Sequence, residues 1–64
     1  MVKINGEQFD VAGMTLKEYL ETSGHSPYRV AVELNGEIVR KSDFAEVVFK
    51  DGDAAEIVNF VGGG

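Results

Sequence analysis

Two Asn-Gly dipeptides, Asn5-Gly6 and Asn35-Gly36, constrain this chain more than any other feature. Each is flanked by residues that alternate between apolar and polar. Both central positions of the tightest hairpin turn need positive φ, which Asn tolerates and Gly adopts freely, so the pair is a strong hairpin signal. The first predicts strands at 1–5 and 7–11, with Val2, Ile4, Phe9 and Val11 inward. The second joins a strand over 28–35 to Glu37-Ile38-Val39-Arg40. In that strand Val30, Val32 and Leu34 alternate with Arg29, Ala31 and Glu33.

A helix is predicted between the hairpins. Thr15-Leu16-Lys17-Glu18 fits the capping box, in which Thr caps one backbone N–H and Glu reaches back to another. Leu16, Tyr19 and Leu20 form an apolar stripe at i, i+3, i+4, and Gly24 and Pro27 end the element, giving a helix over 15–23. So short a helix must draw its stability from packing on a sheet. Residues 41–50 are the least regular. Ser42-Asp43 suits the cap of a helical turn around Phe44, and Val47-Val48-Phe49 a short strand. Asp51-Gly52-Asp53 is a turn, and 54–61 the final strand. The order strand, strand, helix, strand, strand, strand predicts an α+β fold. A mixed sheet of five strands carries one helix on one face, with the first and last strands parallel at its centre. That is the β-grasp arrangement.

A chain of 64 residues makes one domain, 1–64, and without Cys it has no disulfide or thiolate metal site to support a thin core. The net charge of −5 and pI near 4.6 argue against nucleic acid and anionic membranes, since no stretch groups three Lys or Arg. An acidic surface suits docking onto a basic partner, and solubility explains it equally well. No apolar run approaches the ~20 residues that span a bilayer, and no signal peptide is visible, so a cytoplasmic location is expected.

Side-chain catalysis finds little support. His25 lies beside Ser23 and Ser26 in the loop after the helix, with no third group to orient a nucleophile pair, and reads as a plain surface residue. Glu33 and Glu37 flank a hairpin and should be solvated. One His and no Cys make no metal site, and no phosphate-binding loop is present. The chain is expected to be no enzyme and to bind no cofactor.

Gly62-Gly63-Gly64 is the odd feature. One reading is a frayed end or a cloning scar. The other is a carrier. A terminal carboxylate becomes reactive only when activated, for example as an acyl-adenylate. Glycines let a flexible tail, 62–64, thread another protein's narrow active site. By alternation Ala55, Ile57, Asn59 and Val61 share one face of the last strand, and Glu56, Val58 and Phe60 the other. If the first set faces the helix, Val58 and Phe60 form an exposed apolar docking site beside the tail. Otherwise the 41–50 segment covers them, or the strand registers the other way.

Val32-Glu33-Leu34-Asn35-Gly36-Glu37-Ile38-Val39, Lys50-Asp51-Gly52-Asp53, Glu56-Ile57-Val58 and Phe60-Val61-Gly62-Gly63-Gly64 together resemble the ThiS family of thiamine-biosynthesis sulfur carriers, over essentially the whole chain. The resemblance implies a ubiquitin-like β-grasp fold. It implies that the Gly64 carboxylate is adenylated with ATP by an adenylyltransferase resembling the ubiquitin-activating type. Sulfur drawn ultimately from a cysteine desulfurase then makes a thiocarboxylate, and thiazole synthase takes that sulfur. Gly63 and Gly64 match the family's essential tail, and Gly62 is a less strict neighbour. Arg40 stands where many members have Pro, which bears on the local turn. Alternatives are the related carrier of molybdenum-cofactor assembly, a ubiquitin-like modifier joined to lysines through Gly64, and a plain binding module with an inert tail.

Overall fold

The computed structural model describes residues 1–60. Val61 and the three tail glycines lie outside the described residues. The elements are β1 (Val2–Ile4), β2 (Glu7–Phe9), α1 (Leu16–Thr22), β3 (Val30–Leu34), β4 (Glu37–Val39), a single 3₁₀ turn (Lys41–Asp43) and β5 (Ala54–Asn59).

Both predicted hairpins form. Asn5 and Gly6 have φ of 50° and 85°, Asn35 and Gly36 of 51° and 87°, the left-handed pair that a tight turn requires. Val2 faces Phe9 across β1 and β2, and Leu34 faces Glu37 across β3 and β4. The sheet order is β2-β1-β5-β3-β4. β5 lies in the middle, parallel to β1 and antiparallel to β3. This is the expected β-grasp arrangement, with β2 and β4, each of three residues, at the edges, where short strands limit unwanted pairing.

The capping box is present in full. Glu18 N–H donates to Thr15 Oγ1 at 3.1 Å, and Thr15 N–H donates to Glu18 Oε1 at 2.9 Å. Thr15 and Ser23 cap α1 rather than belonging to it, so the helix is a residue shorter at each end than 15–23. Its inward side chains, Leu16, Tyr19 and Leu20, meet Val2, Ile4, Val30, Val32, Ala55 and Ile57 from the sheet. The Tyr19 ring stands edge-on between Phe9 and Phe49, at centroid distances of 6.1 and 5.9 Å.

Several elements differ from expectation, and β3 spans Val30–Leu34 rather than 28–35. The last strand stops at Asn59 rather than Val61, although Phe60 N–H still donates to the Arg29 carbonyl at 2.8 Å. The second strand ends at Phe9, and Val11 packs against the core from the loop. Residues 47–49 form no strand. Val48 makes an isolated bridge to Thr15, because the segment paired with it turns into α1 one residue later. Nor do Ser42 and Asp43 cap anything, since they lie inside the 3₁₀ turn, whose cap is Arg40. The segment instead closes the core. Phe44 and Phe49 are buried, and the carbonyls of Val47 and Phe44 accept from Leu16 and Lys17, satisfying N–H groups that a helix start leaves unpaired.

Candidate functional site

The burial of β5 alternates as its sequence does. Ala55 and Ile57 point to the helix and are buried, while Glu56 and Val58 point to the open face. Val58 lies opposite Ala31 on β3 and is 57% exposed, and Phe60 is 56% exposed. Both are exposed, and neither is covered by the 41–50 segment.

A third apolar residue belongs with them. Ile38 on β4 is 72% exposed and lines, with Ala31 and Val58, a shallow depression of about 200 Å³ on the open face. Its strand position carried the signal: Ile38 faces Glu33, an outward residue, so it too points outward. Glu33 in turn faces Glu56 across β3 and β5. Two directly opposed carboxylates thus border the apolar patch, an arrangement that weakens a sheet when unpartnered.

The end of β5 is held on three sides. Phe60 N–H bonds to the Arg29 carbonyl. Lys41 Nζ stands 5.5 Å from the centre of the Phe60 ring, within cation–π range. The 41–50 segment thus reaches Phe60 through this one side chain and leaves Val58 open. On the helix side, His25 Nδ1 donates to Asn59 Oδ1 at 3.0 Å. His25 is half-buried and links the helix-end loop to the last strand, rather than being a plain surface residue. The tail glycines Gly62, Gly63 and Gly64 lie outside the described residues.

Among the described residues no group of three or more His, Asp or Glu side chains converges as a metal site would need, and no helix is long and apolar enough to cross a membrane.

Comparison with known proteins gives a consistent picture. The ThiS family model matches residues 2–64. The sulfur carrier protein ThiS of Thermus thermophilus is 41% identical, over 100% of both chains. A thiazole synthase of Paramagnetospirillum magneticum is 50% identical over 95% of this chain, which spans only 19% of that protein's length. The crystal structure of the thiamine biosynthesis protein ThiS from Geobacter metallireducens superposes with a TM-score of 0.77 at 36% identity, covering 98% of this chain and 97% of that one.

Proposed function

We propose, since this chain belongs to the ThiS family, that it is a cytoplasmic sulfur carrier of thiamine biosynthesis and catalyses nothing itself. The observation that carries the reading is the family match through residue 64, which takes in the glycine run together with the fold that presents it.

Gly64 is the site of chemistry. A carboxylate resists attack by sulfur because its leaving group would be an oxide. Transfer of AMP from ATP, with release of pyrophosphate, makes a mixed anhydride whose leaving group is AMP. A persulfide sulfur then displaces AMP to give an acyl disulfide, and two thiols, oxidised to a disulfide, reduce it to the thiocarboxylate and release the donor thiol. These steps belong to partner enzymes: an adenylyltransferase resembling the ubiquitin-activating type, and a cysteine desulfurase as the ultimate sulfur source. ATP is the partner's substrate, and the carrier's only group is the covalent sulfur.

The domain supplies recognition and reach. Val58 and Phe60 form the apolar contact, and Gly62 and Gly63, lacking Cβ, pass through a channel too narrow for side chains. Sulfur is softer and more polarisable than oxygen, and covalent carriage gives it a high effective concentration at the acceptor. Thiazole synthase is that acceptor in this reading. The support is the likeness of this chain to a fifth of a thiazole synthase, where a carrier-like segment and a synthase share one polypeptide.

The test is the intact mass of the protein isolated from a host that holds the matching adenylyltransferase and desulfurase. A gain equal to one oxygen-to-sulfur replacement, located at Gly64, is expected. No gain with competent partners and ATP overturns the reading.

A further inference from the structure

Charge is unevenly distributed along β5. The chain has six Lys and Arg against eleven Asp and Glu. Two of the cations sit where β5 begins: Lys3 faces Ala54, and Lys50 bonds through its N–H to Asp53. Of the other four, Lys41 stands at the end of β5 and Lys17 lines the same groove as Lys41, while Arg29 and Arg40 are placed there by their backbone. The Arg29 carbonyl holds Phe60, and Lys41 stands over the Phe60 ring. Arg40 precedes Lys41 at the start of the 3₁₀ turn. Lys17 and Lys41 both line a surface groove of about 360 Å³ that also contains Tyr28, Phe44 and one carboxylate, Glu21.

At ~3.3 Å per strand residue the two ends of β5 stand ~15–20 Å apart, about two Debye lengths at physiological salt. Among the described residues the one ion pair joins the N-terminus to Asp51, at the far end. Lys41 and Lys17, with the backbone of Arg29 and Arg40 beside them and Asp43 in the same turn, thus give a basic rim next to Phe60, the last described residue, on a chain whose net charge is −5.

We propose that this rim meets a carboxylate-rich protein surface at the mouth of the site that receives the tail. The acidic composition points to a basic partner, but the end that must enter first has the opposite sign. A carrier polarised in this way is turned tail-first by an acidic entrance, and its acidic far end is pushed away. Such steering raises association rates by ~10–10³-fold and falls with salt. The proposal rests on the carrier reading and specifies the partner of its docking face.

The test measures association with the matching adenylyltransferase by stopped flow at low salt and at about 1 M, where the Debye length is about 3 Å. Lys17→Glu/Lys41→Glu is expected to slow association by about tenfold at low salt and to converge on the parent at high salt. Lys17→Glu alone, which leaves Lys41 over Phe60, should show part of the same loss. Lys3→Glu/Lys50→Glu changes the net charge equally at the far end and should stay within about twofold of the parent. Equal slowing by both double variants, or slowing by neither, overturns the proposal. A parent protein that gains no sulfur by intact mass fails the carrier reading instead, and this proposal with it. Circular dichroism confirms that each variant is folded.

Discussion

The side chain of Asn5 grips the backbone of Ile57 by both of its polar atoms. Ile57 N–H donates to Asn5 Oδ1 at 2.7 Å, and Asn5 Nδ2 donates to the Ile57 carbonyl at 3.1 Å. β1 ends at Ile4, so the amide supplies the next rung of the parallel ladder in place of backbone. Asn35 acts similarly on the other side of β5: its Oδ1 accepts from Ala54 N–H at 2.9 Å and its Nδ2 donates to Asp53 at 3.0 Å. The two turn asparagines therefore flank the strand that leads to the tail.

Asn5→Gly tests this directly. Glycine adopts the turn's positive φ with ease, so the turn survives and only the grip is lost. Destabilisation of about 1–3 kcal/mol is expected in urea, because the Ile57 N–H and carbonyl lose their partners. The midpoint should fall with the slope unchanged. A stability equal to the parent's would show that Asn5 serves the turn alone.

The capping box predicts a cost and a pH dependence. Thr15→Ala should lose about 1 kcal/mol. The Glu18 carboxyl is held below its ordinary 4.5, first by the Thr15 backbone N–H and then by the Thr15 hydroxyl. A carboxyl with a lowered folded value stabilises fully above its unfolded value, and that share is lost as pH falls through the folded value. Stability followed by urea melts from about pH 6 to pH 3 should therefore fall less in Glu18→Gln than in the parent.

Removing Gly64 should abolish sulfur loading and leave the fold intact. Among the described residues the buried core ends at Ile57, so the urea midpoint should match the parent's. Loading of the truncated protein, read by intact mass, would exclude Gly64 as the acceptor of sulfur.

Phe60→Asp should weaken binding to the adenylyltransferase by about tenfold or more, as loss of a central aromatic anchor does. Since Phe60 is 56% exposed, stability should change by no more than about 0.5 kcal/mol. Ile38→Asp reports whether the patch extends to β4. Calorimetric titration that finds Phe60→Asp folded and binding as tightly as the parent would remove the docking face.

Local rules made most of the framework legible. Asn-Gly pairs demand positive φ, Thr15 and Glu18 are three residues apart, and period-2 alternation separates Ile57 from Val58. Each depends on neighbours within a few residues. Segment 41–50 was not legible in this way. Phe44 and Phe49 are buried only because α1 presents unpaired N–H groups and an open core edge beside them, and no property of Val47-Val48-Phe49 announces a partner at Thr15.

The chain order of turns, cap and apolar alternation is enough to derive two hairpins, one short helix and an inward face, because backbone φ preferences and side-chain periodicity are local. The grip of Asn5 on Ile57, the link from His25 to Asn59, the exposure of Ile38 beside Val58 and the basic rim at Phe60 join residues 19 to 52 positions apart. They exist only once β5 is inserted between β1 and β3, since hydrogen bonds act over about 3 Å and unscreened charge over about 10 Å, whatever the separation along the chain.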